Sequence, residues 1–294
     1  MERGLKTIIS IPSFLSLTRF WNSLFGAFTI ILSGILSADF AGYLTDYLFA
    51  SISIVLLGMG SFSINDYFDH DIDRFNKRTD RPIVQGNVGR RTALHVAMLC
   101  FSLSLVVAIR LNFIFFIFLS FNAIVFFLYS YYMKKLFLIK NILIAYSFFA
   151  TIIAGTIVSD SIIEPLILYY AIMGFIVGLA FEIMIDIRDV AGDQKFGVQT
   201  IAGKFSPKIA ALSSVFFYAI VMILDSLPFF IRVDPALYQD NLFLLLILIP
   251  MMLYILVSRS LILDSSKDNI LALRKKTLGI MQFGSLAYLI GYLF

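Results

Sequence analysis

Charge is scarce in this chain. Asp, Glu, Lys and Arg make up 14% of its 294 residues, where soluble globular domains carry roughly 25%. A large water-facing surface is therefore not expected. Cysteine is scarcer still. Cys100 stands alone inside an apolar run, which excludes an intrachain disulfide framework and reads as a small buried residue. Histidine occurs only as His70 and His95, too few to build a His/Cys ligand set for zinc. Strand alternation is missing, and no soluble domain separates the apolar segments. No cleavable signal is expected either. Met1 to Phe20 mixes Arg3, Lys6 and Arg19 with Ile, Phe and Leu, without a small-residue cleavage site before the next charge. That segment is expected to lie on a membrane surface as an amphipathic helix.

What the chain has is hydrophobic length. It is 60% hydrophobic with a mean hydropathy of +0.92. A span takes about 20 mostly apolar residues. Nine are expected, at about 20–38, 47–68, 92–110, 113–133, 141–158, 165–185, 208–226, 241–258 and 277–294. The expected fold is an all-α, multi-span transmembrane helical bundle, one membrane domain over residues 1–294. With nine spans, 21 of the 23 Lys and Arg residues fall on one side; Arg110 and Arg232 fall on the other. Basic loops stay inside, so the N-terminus is expected in the cytoplasm.

Two acidic runs break the apolar pattern. The second span ends in Asn65-Asp66-Tyr67-Phe68-Asp69-His70-Asp71-Ile72-Asp73. At about 100° of helix rotation per residue, Asp66, Asp69 and Asp73 share one face and Asp71 points away to solvent. The sixth span ends in Glu182-Ile183-Met184-Ile185-Asp186-Ile187-Arg188-Asp189-Val190-Ala191-Gly192-Asp193. Asp186, Asp189 and Asp193 repeat the same spacing, with Glu182 one turn earlier. Both runs lie at inner ends of even-numbered spans, so the two helices are parallel. Their separation by 120 residues hints at an internal repeat over about 20–133 and 141–258.

Three carboxylates on one partly dehydrated face repel each other unless compensated. Divalent cations are the economical compensation. Hard oxygen donors suit Mg²⁺, which keeps waters and shares its shell with substrate phosphates. Two Asp clusters ringed by Arg and Lys therefore suit a Mg²⁺-bound diphosphate. The competing reading, solvated loop faces paired with nearby Arg and Lys, is disfavoured by the matched spacing on matched helix ends.

At these residues the chain resembles the UbiA superfamily of intramembrane prenyltransferases. Asn65, Asp66, Asp69 and Asp73 match its first motif, Asn-Asp-x-x-Asp-x-x-x-Asp. Asn76-Lys77-Arg78-Thr79-Asp80-Arg81-Pro82 and Gly86 look like its Arg-Pro loop. Asp186, Asp189, Gly192 and Asp193, with Gly197 and Thr200, match the second motif. Arg19 and Asn22 look like its Arg-x-x-Asn, and Tyr129 with Lys134 or Lys135 like its Tyr/Lys segment. Ile185 departs from the pattern, because many members carry a Lys there.

The resemblance implies nine helices around a central cavity, Mg²⁺ as cofactor, a prenyl diphosphate donor and a lipophilic acceptor within membrane lipid, with no nucleic acid. It implies Mg²⁺ at Asp69, Asp73, Asp189 and Asp193 with Asn65. Asp66 and Asp186 complete the catalytic carboxylates, and Asp66 or Glu182 would take the acceptor's proton. Arg19, Asn22, Asn65, Lys77, Arg78, Arg81, Tyr129, Lys134 and Lys135 are the expected substrate contacts. Tyr67 and Phe68, inside the motif, are expected to line the cavity. The second motif looks most like members acting on geranylgeranylglyceryl phosphate or a chlorophyllide. Lys77-Arg78-Thr79 looks more like members acting on haem or on aromatic quinone precursors such as 4-hydroxybenzoate. The lipid-ether acceptor is the expectation kept. The alternative from another class is a cation transporter with paired Asp clusters, but transport sites sit near the midplane at broken helices. A CDP-alcohol phosphotransferase would need one long motif with Gly and Ala-Arg that the sequence lacks.

Overall fold

A computed structural model describes residues 9–294. Arg3, Lys6 and most of the expected surface helix lie outside the described residues; the rest of that segment is one short helix, α1 (Ile11–Leu17). The other helices are α2 (Phe20–Leu36), α3 (Leu44–Phe75), α4 (Arg90–Ala108), α5 (Phe113–Tyr131), α6 (Ile139–Ile157), α7 (Pro165–Lys195), the single turn α8 (Ile201–Lys204), α9 (Pro207–Phe230), α10 (Asn241–Leu263) and α11 (Lys267–Leu293). Each of the nine expected spans coincides with one long helix. Among the described residues seven are long and apolar enough to cross a membrane, and α1 with α2, bent by 56°, passes the same test only as a pair. In α11 the first ten residues carry Lys267, Asp268, Arg274, Lys275 and Lys276, and the expected span is its uncharged remainder.

Local chemistry sets the ends. Ser206 and Ser266 accept hydrogen bonds from the backbone N–H groups of Ile209 and Asn269, and Asp240 caps Leu242 and Phe243. These side chains satisfy donors that a helix start leaves open. The two acidic helices end alike. In α3, Lys77 takes a φ of +53° and the Arg78 N–H reaches the Asp73 carbonyl at 2.9 Å. In α7, Gly197 takes a φ of +77° and the Val198 N–H reaches the Asp193 carbonyl at 2.8 Å. Both are left-handed caps that close the last carbonyls, and they stand 120 positions apart.

Helices of 32 and 31 residues run to about 48 and 46 Å at 1.5 Å per residue. The hydrocarbon core is only about 30 Å thick. The last turns of α3 and α7 therefore emerge at the polar boundary, where carboxylates are tolerated. Small residues bring the helices together. The Ser33 hydroxyl donates to the Ile152 carbonyl and the Tyr47 hydroxyl to the Gly155 carbonyl, tying α2 and α3 to α6. A methyl on Gly155 would meet Ser33 Cβ at 2.4 Å, so only glycine permits that approach.

Candidate active site

A cavity of about 500 Å³ runs through the bundle, lined by α2, α3, α5, α6, α7, α9, α10 and α11. Its waist is apolar, with Ile54, Leu57, Phe62, Phe126, Phe148 and Val177. Its mouth is charged. Asn65, Asp69 and Asp73 line it from α3; Glu182, Asp189 and Asp193 line it from α7. The two motifs therefore meet at one site, as helical period and parallel orientation require. Asp71 is exposed on the far side of α3.

The first aspartate of each motif is placed differently. Asp66 and Asp186 are buried behind the cavity wall and hold the preceding long helix. Arg19, at the start of α2, donates to Asp66 at 2.6 Å, with Arg81 3.5 Å from the same oxygen. Lys140 of α6 donates to Asp186 at 2.6 Å and to Asp193 at 3.0 Å, while Asn141 donates to Asp186 at 2.6 Å. The remaining aspartates of the mouth are paired too. Lys134 holds Asp69, and Arg188 holds Asp189. Arg78 spans the two motifs, 4.0 Å from Asp73 and 3.5 Å from Asp189, and Arg81 lies 3.4 Å from Asp73.

The Arg-Pro loop is tied in by charge. Burial disfavours the Asp80 carboxylate, but the Arg78 fork, at 2.9 Å on both oxygens, and the Arg81 charge outweigh it and hold Asp80 well below the usual carboxylate range. Burial also opposes the charge on Arg78, and Asp80, Asp189 and Asp73 overcome it, so Arg78 is held above its ordinary value. Arg81 is lowered to about 10 by burial and by the charge of Arg19; it remains a cation at neutral pH.

Several expected residues sit elsewhere. Arg19, Asn22, Arg78, Arg81, Tyr129 and Lys134 line the cavity. Lys77 and Lys135 are exposed outside it. The left-handed turn at Lys77 throws its side chain outward, and Lys135 lies in a 3₁₀ turn whose neighbour Lys134 takes the buried position. Tyr67 and Phe68 do not line the cavity. Each is offset by 100–200° of helix rotation from the Asp face; Phe68 packs on Phe127 and Tyr131, and Tyr67 lies under the Arg90 guanidinium at 4.9 Å. Phe62, one turn before Asp66, is the aromatic residue that faces in, under the Arg19 guanidinium at 4.5 Å.

Sequence reasoning left Lys140, Arg188 and Arg274 unassigned, yet all three line the cavity. Lys140 delivers an ammonium beside Asp186 from α6, next to the position where Ile185 departs from the motif. Asp225, a lone carboxyl in an apolar helix, is buried at the deep end with Tyr170, whose hydroxyl lies 2.6 Å from Ser285. Its isolation in the run 209–231 was the available signal.

Whether Mg²⁺ fits can be asked of the donors. Among the described residues no three His, Cys, Asp or Glu side chains converge as a preformed metal cage. The cavity does present oxygen donors of one hard type, Asp69, Asp73, Asn65, Asp189 and Asp193, from two facing helices. Mg²⁺ typically takes one or two carboxylates and fills its shell with water and phosphate oxygens. The donor set fits a cation that arrives with a diphosphate.

The sequence profile of the UbiA prenyltransferase family matches residues 25–285. A digeranylgeranylglyceryl phosphate synthase of Archaeoglobus fulgidus is 30% identical over 275 residues, 94% of this chain and 93% of its own. One of Pyrococcus furiosus is 37% identical over 169 residues, 58% of this chain and 60% of its own. A UbiA homologue of Aeropyrum pernix K1 superposes with a TM-score of 0.73 at 20% identity, covering 93% of this chain and 99% of that one. A UbiA homologue of Archaeoglobus fulgidus bound to DMAPP and Mg²⁺ gives 0.66 at 19%, covering 95% and 99%. These solved structures share the fold.

Proposed function

The chain belongs to the UbiA prenyltransferase family, and from that premise we propose that it joins a prenyl group, from a prenyl diphosphate, to the free hydroxyl of geranylgeranylglyceryl phosphate. It is an integral membrane prenyltransferase. The acceptor rests on the Archaeoglobus fulgidus relative, named digeranylgeranylglyceryl phosphate synthase, which matches nearly end to end. The site rests on one observation: carboxylates of two parallel helices line a single cavity mouth that opens into an apolar waist.

Asp69, Asp73, Asp189 and Asp193 with Asn65 would hold Mg²⁺, which would supply charge neutralisation for the diphosphate. Lys134, Arg78, Arg81 and Arg188 turn from their carboxylates to the phosphate oxygens, adding electrostatic stabilisation where negative charge develops. The apolar waist holds the prenyl tail and keeps water from the allylic carbon. An ether bond forms between the acceptor's hydroxyl oxygen and that carbon. The carbon–oxygen bond to the diphosphate breaks, and its electron pair leaves with the diphosphate. Glu182 lines the cavity one turn deeper than Asp186 and is the carboxylate set to accept the hydroxyl proton. Asp66 and Asp186 act as positioning residues that fix α2 and α6.

The charged mouth is assigned to the cytoplasmic side on the bias of basic residues. The internal repeat is also part of the proposal. It is supported by the matched left-handed caps and by Arg19–Asp66 and Lys140–Asp186 occupying equivalent places.

Mass spectrometry of products tests the reading. Purified protein is incubated with geranylgeranyl diphosphate, Mg²⁺, and either geranylgeranylglyceryl phosphate or 4-hydroxybenzoate. The expected product is digeranylgeranylglyceryl phosphate. Prenylated 4-hydroxybenzoate with an untouched lipid acceptor would overturn it.

A further inference from the structure

Among the described residues, seven Lys and Arg side chains line the cavity. Six have a carboxylate oxygen within 4.0 Å. Arg274 has none among the described residues. The charges that bear most on it are Arg188, Arg81 and Arg78, all of its own sign, opposed by Asp80. Both oxygens of Asp80 are already taken by Arg78.

An unpaired guanidinium beside like charges in a half-buried wall is costly. Arg274 also has an easy escape. It lies near the polar start of α11, where a long basic side chain readily reaches water. Lys275 and Lys276 do so and are exposed. Arg274 instead lies between buried Leu273 and Thr277 on the packed face of the helix and lines the cavity. Among the described residues, that placement leaves one surplus cation at the mouth, after every other basic side chain of the cavity lining has its carboxylate.

We propose that Arg274 seats the phosphate monoester of the acceptor. This rests on the acceptor reading above. The chemistry is specific. The reaction brings two phosphorylated substrates to one mouth, and the paired carboxylates and cations answer to the diphosphate of the donor. A second, doubly charged phosphate needs cations of its own, and a planar guanidinium fork matches its oxygens. Of the three glycerol oxygens in the acceptor, one carries phosphate and one the ether chain. Fixing the phosphate therefore carries the one remaining hydroxyl towards the donor's allylic carbon. Arg274 is then a specificity-determining residue that favours phosphorylated glycerol ethers over uncharged acceptors.

The test uses the full chain in a maltoside detergent free of phospholipid, so that a lipid-headgroup role for Arg274 is removed from the assay. Wild type, Arg274→Gln and Arg274→Lys are assayed with geranylgeranyl diphosphate and Mg²⁺. The acceptors are geranylgeranylglyceryl phosphate and its dephosphorylated form, geranylgeranylglycerol. Losing charge-assisted hydrogen bonds to a phosphate predicts about a 10- to 100-fold rise in KM for the phosphorylated acceptor. The donor KM should stay within about three-fold, and kcat should change less than the acceptor KM. Arg274→Lys, keeping charge but not the fork, should recover part of the loss. The wild-type preference for the phosphorylated acceptor should collapse in Arg274→Gln. If the donor KM rises instead, or the preference survives, Arg274 does not seat the acceptor phosphate and the inference fails alone. If wild type does not use geranylgeranylglyceryl phosphate, the acceptor reading and this inference fall together. If Arg274→Gln does not fold, Arg274→Lys decides by the same ratio of acceptors.

Discussion

Asp69 and Asp189 stand on different helices, 120 residues apart, and each faces the same cavity. Arg78 lies between their clusters, 3.5 Å from Asp189 and 4.0 Å from Asp73. If the two clusters grip one diphosphate, their contributions to the rate cannot be independent. We therefore predict the outcome of a double-mutant cycle with Asp69→Asn, Asp189→Asn and the pair. Losing one electrostatic stabiliser of the leaving group costs about 10²–10³ in rate, or roughly 2.7–4 kcal/mol. Independent sites would make the double variant about 10⁴–10⁶ slower, the product of those single losses. A shared site predicts a double variant within about ten-fold of the worse single, because residues acting as a unit are strongly non-additive. Asparagine is chosen over alanine to keep shape and a hydrogen-bond acceptor. Even so, the change strips the charge that compensates Lys134, whose side chain is 6% exposed. Breaking a buried pair costs about 3–5 kcal/mol, so melting curves must show each variant folded before its rate is read. Asp71→Asn, on the exposed side of the same helix, is the control and should stay within a few-fold of wild type. The rate of diphosphate release is the readout. Additive losses, an unimpaired Asp189→Asn, or a folded but inactive Asp71→Asn would refute the shared site.

Three further outcomes are expected. Excess chelator should abolish turnover and added Mg²⁺ restore it, because oxygen-only donors match that cation; full activity in chelator removes the metal from the reaction. Asp80→Asn should lower the melting temperature at neutral pH. Asp80 is held below its ordinary value, so the stability it brings is present above about pH 3.9, its unfolded value, and is lost as the pH falls below that. The gap to wild type should therefore close on acidification, and a gap that widens would contradict the Arg78–Asp80 account. Third, on a Cys100→Ala background, single cysteines replacing Asn87 and Phe205 should both label from the cytoplasmic side and one replacing Ala236 from the opposite side; Asn87 and Phe205 labelling from different sides would break the shared mouth.

The span pattern was legible because hydrophobic length in a bilayer has few solutions. The Asp faces of α3 and α7 were legible because a 3.6-residue period fixes which side chains share a face. Neighbouring residues proved harder. Lys77 and Arg78 differ by one position, but the left-handed turn at Lys77 sends one outward and the other into the mouth. Tyr67 and Phe68 sit inside the motif by sequence and outside the cavity by rotation, whereas Phe62, a turn earlier, faces in. Lys140 and Arg274 belong to helices without acidic motifs. Their place at the site comes from packing between helices, which one sequence does not display.

The resting ion pairs have a consequence for turnover. Between catalytic cycles the mouth aspartates are held by Lys or Arg from within the chain, with Lys134 on Asp69 and Arg188 on Asp189. Donor binding then exchanges partners rather than creating charge contacts from nothing. Its affinity is the difference between two sets of ion pairs, smaller than either set alone. The same exchange runs backwards once the allylic carbon has gone. Diphosphate without its lipid tail has lost the hydrophobic contribution of the waist, while the carboxylates still compete for the cations that hold it. On the proposed mechanism, the side chains that speed bond breaking are therefore the ones that, by returning to their aspartates, let the inorganic product escape.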